Sequence, residues 1–159
     1  MITKNVRAAV AVLALAMSPL ALPAAPAASA QPAVAAGPCK AAYKQLTIMV
    51  TTEKRNVAEG DRLWDSHAGY IRASHRGLLV TYSLAKGPEL SDPLDPASAP
   101  TGRVTYALTE CYRTSADIQR HWRKTAAEWH DFNALVDWMK RPGTQVVTLH
   151  DGRVRNSLW

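Results

Sequence analysis

Residues 104–122 read VTYALTECYRTSADIQRHW, and the spacing of their apolar side chains changes partway along. From 104 to 112 the side chains alternate, and one face of the predicted strand carries Val104, Tyr106, Leu108, Glu110 and Tyr112. After this strand the spacing becomes helical, and one face carries Ile118, His121, Trp122, Thr125 and Trp129. Ser115 stands where it can cap that helix, which is predicted to run to about residue 129. The stretch therefore predicts a strand followed directly by an amphipathic helix.

Upstream of this unit, the sequence predicts a strand, a helix and a second strand. Alternation places Leu46, Ile48 and Val50 on one strand face, and residues 78–84 alternate in the same way. Residues 61–75 between them predict a helix, whose apolar side carries Leu63, Trp64, His67, Tyr70, Ile71 and Ser74. Residues 87–102 contain four prolines and are expected to form a long loop, because proline lacks the backbone N–H that strands and helices use.

Downstream, a second helical piece is predicted from the spacing of Phe132, Leu135, Val136 and Met139. Pro142-Gly143 ends it, and residues 145–150 predict a fourth strand. Asp151-Gly152 is a strong signal for a two-residue hairpin, after which residues 154–159 are expected to form a short closing strand.

The predicted element order is β-α-β-β-α-β with an added C-terminal hairpin strand. This order is typical of an α+β, ferredoxin-like domain with one antiparallel sheet and helices on one face, here over residues 44–159. The other face of the sheet still carries apolar side chains, and too little chain remains to cover it. We therefore expect a homodimer.

The N-terminus has the three zones of a secretion signal. Lys4 and Arg7 precede an apolar run over residues 8–22, and Ala28-Ser29-Ala30 supplies small residues for cleavage. A permanent membrane anchor is the alternative, but prolines interrupt and end the apolar run. We expect a signal peptide over residues 1–30 cleaved after Ala30, a flexible leader over residues 31–43, and a secreted protein with no membrane association after cleavage.

The charges and cysteines limit the possible partners. Only two of the 19 basic residues and none of the 13 acidic ones fall in the predicted signal, and the rest are scattered, so nucleic-acid binding is not expected. Cys39 and Cys111 are too few for a zinc framework. In a ferredoxin-like sheet the first and third strands are antiparallel neighbours, which brings Cys39 within reach of Cys111. We expect a disulfide in an oxidising compartment, with two unpaired thiols as the alternative.

Residues 108–121, LTECYRTSADIQRH, resemble a motif of the antibiotic biosynthesis monooxygenase family of dimeric α/β barrels. In that family a strand often ends in Glu-x-aromatic, and the following helix carries a histidine about nine residues later. Those places are Glu110, Tyr112 and His121 in this sequence. The resemblance implies a ferredoxin-like subunit that packs sheet to sheet on its partner, with a ligand pocket between sheet and helices. Its members include cofactor-free oxygenases of aromatic polyketides and haem-degrading enzymes, and we expect no cofactor here.

The candidate catalytic residues are His121, His67 and Tyr70, because imidazole and phenol groups can move protons or stabilise an anion. Candidates for binding a flat substrate are Trp64, His75, Trp122 and Trp129. For each of them, ordinary core packing or a structural hydrogen bond is the alternative. Glu110 could act as a base or pair with an arginine of a partner subunit.

No metal site is predicted. His67 and His75 are eight residues apart, and no His-x-x-x-His occurs in the sequence. A haem site with one axial histidine stays open as an alternative.

Three functions are compatible with these residues: a cofactor-independent monooxygenase acting on an aromatic substrate, a non-catalytic protein that binds an aromatic molecule or haem, and a purely structural dimer. An open pocket that both His67 and His121 face would favour the enzyme. An open apolar pocket without them would favour binding alone, and a filled one would favour the structural dimer.

Overall fold

The computed structural model describes residues 38–158, so the predicted signal peptide and the first residues of the leader lie outside the described residues. The elements, in chain order, are β1 (Lys44–Glu53), a 3-10 turn (Lys54–Asn56), α1 (Val57–Ser74), β2 (Leu79–Leu90), β3 (Pro100–Tyr112), α2 (Ser115–Glu128), α3 (Phe132–Met139) and β4 (Gln145–Arg153). This is the predicted β-α-β-β-α-β order, with the second helical part divided into two helices.

The four strands form one antiparallel sheet in the order β2-β3-β1-β4. β1 pairs along its whole length with β3, so that Leu46 lies opposite Glu110 and Val50 lies opposite Tyr106. The predicted α+β class and ferredoxin-like arrangement agree with this strand order, in which the first and third strands are central.

The core lies on one face of the sheet. The inward side chains of β1 and β3 and the apolar sides of all three helices belong to one buried cluster, which includes Leu46, Ile48, Val50, Leu63, Trp64, Tyr106, Leu108, Tyr112, Ile118, Trp129, Leu135 and Trp138. Alternation along the two central strands produces this face, as the sequence predicted. No helix within residues 38–158 is both long and apolar enough to cross a membrane.

The loop predicted over residues 87–102 is wrong at both ends. β2 continues to Leu90, and β3 begins at Pro100, so only the turn between them is irregular. Pro88 is tolerated because β2 is an edge strand that pairs only with β3, and the register shifts between Pro88 and Leu90. The turn itself is closed by the Ser91 amide, which donates to the Ala99 carbonyl at 2.9 Å.

Two helix starts also differ from the prediction. α1 begins at Val57, four residues earlier than predicted. α2 is capped by Thr114 rather than Ser115: the Thr114 hydroxyl accepts from the Asp117 amide, and the Asp117 carboxylate accepts from the Thr114 amide. This reciprocal capping box fixes the helix directly after β3.

The predicted C-terminal hairpin strand does not form within the described residues. β4 continues through Asp151-Gly152 to Arg153, and the register shifts where Leu46 of β1 faces two residues of β4. Asp151 has a φ of 55°, which an aspartate adopts more readily than most residues. Asp151-Gly152, which predicted a hairpin turn, therefore forms part of a β-bulge. Val154 then exchanges hydrogen bonds with Tyr43 and Ala42 and extends the same pairing.

The predicted disulfide between Cys39 and Cys111 is confirmed, with the two Cα atoms 5.9 Å apart. It ties the end of the leader to the end of β3. Because it closes a loop with a sequence separation of 72, the chain-entropy model gives a stabilisation of about 4 kcal/mol.

Apolar side chains also lie on the sheet face away from the helices. Met49 is 43% exposed, and Val147, its neighbour on β4, is 67% exposed. Leu149, two residues further along β4, is 50% exposed.

We expect Gly60→Ala and Gly69→Ala, both within α1, to change stability in opposite directions. A Cβ on Gly60 would run into the Trp138 indole and lie 3.1 Å from the Tyr106 hydroxyl, whereas a Cβ on Gly69 meets nothing within 4 Å. Gly60→Ala should lower the free energy of unfolding by about 1–3 kcal/mol through overpacking. Gly69→Ala should raise it by up to about 1 kcal/mol through helix propensity. Chemical denaturation measures both, and equal effects would contradict the contact between α1 and Trp138.

Candidate active site

Three histidines from different parts of the chain meet in the interior. His67 lies in α1, His75 lies at its C-terminal cap, and His121 lies in α2; each is at most 4% exposed. The ring of His121 is 5.1 Å from that of His75 and 6.2 Å from that of His67. The helical spacing that predicted an inward face for His67 and His121 is what brings the two rings together.

Glu110 lies beside these histidines, because alternation along β3 turns its side chain toward the helices. It is fully buried. Its Oε2 accepts a hydrogen bond from the Tyr112 hydroxyl at 2.7 Å and lies 3.7 Å from His121 Nε2. Its other oxygen, Oε1, has no hydrogen-bond partner among the described residues. Within its own chain, the neighbours of Glu110 are thus Tyr112 and His121.

Burial sets the protonation states of the three histidines and of Glu110. Loss of solvent lowers the pKa of His67 to about 4 and that of His121 to about 3, and the nearby His75 adds to both effects. Burial also lowers the pKa of His75. It raises the pKa of Glu110 to about 7, against the opposing effect of the Tyr112 hydrogen bond. The three imidazole rings are therefore neutral near pH 7, and each ring carries one N–H and one lone pair.

A chain of hydrogen bonds determines which nitrogen of His121 carries the lone pair. The Ser74 hydroxyl donates to the Tyr70 carbonyl at 2.7 Å, so its oxygen accepts from His75 Nδ1–H at 2.7 Å. His75 Nε2 is then an acceptor, and His121 Nδ1–H donates to it at 3.2 Å. The lone pair of His121 consequently lies on Nε2, the nitrogen that faces Glu110.

A cavity of about 50 Å³ lies between the sheet and the helices next to this cluster. It is lined by Ile48, Trp64, His67, Leu108, His121, Trp122, Thr125, Trp129, Phe132, Leu135, Val136 and Met139. Apart from the two histidines and Thr125, these side chains are aromatic or aliphatic. The cavity therefore offers an apolar site with two imidazole groups at its wall.

The cavity brings together most of the candidate residues. Trp64, His67, His121, Trp122 and Trp129 line it. Two candidates are outside the lining: His75 stands behind His121, and the ring of Tyr70 stacks on Trp129 at 6.2 Å.

Two tyrosines hold this cluster: Tyr82 had no predicted role at the site, and Tyr112 had a place in the motif but no predicted contact with Glu110. The Tyr82 hydroxyl lies 3.2 Å from His67 Nδ1, and the Tyr112 hydroxyl donates to Glu110. Alternation placed both side chains on the inward faces of their strands, which was the available signal. What alternation could not give was which inward polar groups lie next to each other.

His67, Glu110 and His121 are also the types of residue that bind metal ions. One potential ligand atom from each lies within 4.8 Å of those from the other two. From the sequence, His67 is considered together with His75 and no metal site is expected. In the folded chain His67 lies close to His121, which is distant in the sequence.

No protein-family model matches this chain, and no curated protein does. Among solved structures, it is similar to a proposed antibiotic biosynthesis monooxygenase from Caulobacter crescentus, with 14% identity, a TM-score of 0.40, and coverage of 71% of this chain and 94% of that one.

Two further solved structures resemble it: a proposed amidohydrolase/peptidase from Burkholderia cenocepacia (9% identity, TM-score 0.36) and a hydantoinase/carbamoylase family amidase from Burkholderia ambifaria (14% identity, TM-score 0.36). They cover 76% and 74% of this chain, which spans 30% of the length of each. None of the three similarities is strong enough to indicate an activity.

We expect Glu110→Gln to stabilise the metal-free protein at alkaline pH. The glutamine has nearly the same shape, and its side-chain oxygen can still accept from Tyr112 at the position of Oε2. Because the folded-state pKa of Glu110 is raised to about 7, the carboxyl group costs stability as pH rises from about 4.5 to 7, and this cost persists above pH 7. The variant lacks this cost, so its advantage should grow over that window to on the order of 3 kcal/mol.

Denaturation in EDTA at pH 5 and pH 8 measures this advantage. Glu89→Gln, at a partly exposed ion pair with Arg103, is the control and should change stability by less than about 1 kcal/mol at both pH values. An advantage of Glu110→Gln that is the same at both pH values would contradict a buried, titrating carboxyl group.

Proposed function

We propose that this protein is a secreted enzyme that binds a small apolar, preferably aromatic, molecule between its sheet and helices. The observation that carries the proposal is the convergence of two neutral imidazoles, His67 and His121, on a cavity whose remaining lining is almost wholly apolar. A structural core needs no such pair. A pocket of this composition with a few polar groups at one wall is typical of small-molecule sites.

Monooxygenation is the reaction that we propose for this site, in line with the resemblance to antibiotic biosynthesis monooxygenases. Support comes from His121, whose ring lines the cavity. Its Nε2 lone pair faces Glu110, so it would accept a proton from an acidic substrate hydroxyl only after the cavity wall has moved to admit the substrate. The resulting imidazolium would lie beside the Glu110 carboxylate, which would stabilise it. The substrate anion would then react with O2: one oxygen atom stays on the substrate as a new carbonyl group, and the other leaves as water with two hydrogens of the substrate, which supplies all the electrons. In this proton-transfer form the reaction needs no cofactor.

Entry of an aromatic substrate requires the wall of the cavity to move. A cavity that holds benzene has a volume of about 150 Å³, three times the volume present. Phe132 and Met139 lie at the two ends of the eight-residue helix α3 and are only partly buried. We propose that α3 shifts outward when the substrate enters.

A binding protein without catalytic activity is the second candidate, favoured by the apolar character of most of the lining. It would use the same cavity, and the two candidates differ only in whether His121 contributes to turnover.

We expect at least one member of a panel of phenols and naphthols to bind and to cause oxygen uptake. Native mass spectrometry of protein from the host medium detects a retained ligand, and an oxygen electrode measures turnover. His121→Gln should reduce uptake at least 100-fold, as expected for loss of a general base, while His130→Gln, at an exposed histidine, should leave it unchanged. Binding with no uptake would support the second candidate, and no binding at all would favour a structural protein.

We also propose that the protein is a homodimer that joins the sheet faces opposite the helices, as in a dimeric α/β barrel. Met49, Val147 and Leu149 give that face its exposed apolar side chains. Light scattering should give twice the mass of the mature chain. Val147→Glu should shift the protein to a monomer, and Leu94→Glu, at a fully exposed leucine in the β2–β3 turn, should not. A monomeric parent protein would contradict the proposed interface.

A further inference from the structure

The strongest unexplained feature of the molecule is the pair of acceptors formed by His121 and Glu110. The hydrogen-bond chain through Ser74 and His75 places the lone pair of His121 on Nε2, and that atom faces the Glu110 carboxylate at 3.7 Å. A lone pair and a carboxylate oxygen repel each other unless a proton or a cation lies between them. Glu110 Oε1 is fully buried and has no hydrogen-bond partner within residues 38–158.

A third ligand group completes the set. His67 Nδ1 is held by the Tyr82 hydroxyl, which leaves Nε2 as the nitrogen able to bind a ligand. One ring nitrogen of His67, one ring nitrogen of His121 and one carboxylate oxygen of Glu110 lie within 4.8 Å of one another. We propose that His67, Glu110 and His121 bind one divalent transition-metal ion.

The surroundings of the three residues agree with a metal centre. In such centres the ligating groups are oriented by hydrogen bonds through their other polar atom. Here Tyr82 holds His67, His75 holds His121, and Tyr112 holds Glu110. All three of these orienting hydrogen bonds come from side chains inside the domain.

The geometry requires only a modest adjustment. Two ligands about 2.1 Å from a tetrahedral metal ion lie about 3.4 Å apart, so the ligand atoms must approach one another by up to roughly 1.4 Å from their present limit of 4.8 Å. Glu110 extends from a central strand and the two histidines extend from helices, so small movements of the helices relative to the sheet would bring the ligand atoms together.

The donor set indicates which ions fit. Two imidazoles and one carboxylate suit Zn²⁺, Co²⁺, Fe²⁺ or Mn²⁺, and three protein ligands leave at least one coordination position for water or substrate. Both histidines line the cavity, whose volume of about 50 Å³ accommodates a metal-bound water. A metal ion bound to His121 Nε2 would use the same lone pair that accepts the proton in the proposed reaction. The metal site does not depend on the proposed substrate.

The test begins with the metal content of the full chain secreted by its host and purified without chelator, where elemental analysis should find one ion per chain. After removal of metal by EDTA, titration with Co²⁺ should produce visible absorption bands that saturate at one equivalent and disappear when Zn²⁺ is added. Zn²⁺ should also raise the melting temperature of the metal-free protein.

Variants distinguish metal binding at His67, Glu110 and His121 from metal binding elsewhere on the protein. Glu110→Gln and His121→Gln should each weaken Co²⁺ binding at least 100-fold. The double variant His130→Gln/His150→Gln, which removes the two exposed histidines, should keep one ion per chain. His75→Gln, which affects only the group behind His121, should weaken binding about 10–100-fold. Denaturation of each variant in EDTA shows whether it is folded, so that a loss of binding by a folded variant can be assigned to the removed ligand.

Three results would overturn the proposal. The first is saturation below one ion per chain in both experiments, which would indicate a proton shared by Glu110 and His121. The second is retained binding in Glu110→Gln and His121→Gln. The third is loss of binding in the exposed double variant, which would show an adventitious ion only. Because the metal site does not depend on the proposed substrate, oxygen uptake measured in EDTA tests the proton-transfer reaction alone, and metal binding measured without any aromatic compound tests the metal site alone.

Discussion

The alternation of side chains along β3 is the constraint on which the rest of this structure depends. β3 pairs with both β1 and β2, and its inward positions contribute Tyr106 and Leu108 to the core. The same alternation turns Glu110 inward, while Cys111 points to the other face and meets Cys39. A slip by one residue would reverse all of these orientations and break the disulfide geometry. The fold therefore cannot form without burying one carboxyl group.

Burying that carboxyl group has an energetic cost that the neighbouring residues offset only in part. Tyr112 donates one hydrogen bond, but the adjacent His121 nitrogen carries a lone pair rather than a proton. A hydrophobic residue or a glutamine at position 110 would pack with less cost. Buried polar groups that lower the stability of the fold are commonly found at functional sites, because the requirements of stability and of function conflict at such positions. The unfavourable contact between Glu110 and His121 is thus an argument for function that does not depend on any similarity to other proteins.

The sequence predicted the parts of this fold that depend on local periodicity, and it failed where tertiary context decides. Period-two spacing identified the inward faces of β1 and β3, and helical spacing identified the inward faces of His67 and His121. Pro88 predicts the end of a strand, because the local sequence does not show that it lies in an edge strand. Asp151-Gly152 predicts a turn, because β-bulges and turns use the same residue types. At the site, periodicity showed that the side chains point inward, but it could not show that His75 orients His121 or that His67 lies near Glu110.

The disulfide and the candidate site are connected through the backbone of β3. Cys111 is bonded to the leader, and the residues on either side of it, Glu110 and Tyr112, are the carboxylate of the site and the group that orients it. The covalent link therefore holds the end of β3 in place, while His67 and His121 lie on helices that contact the sheet through side chains. A carboxylate fixed on the sheet and two imidazoles carried by helices would allow the proposed site to close around a proton or a metal ion without disturbing the sheet. Such an arrangement would suit the secreted protein that we propose, because an oxidising compartment would form the disulfide that holds Glu110 in place.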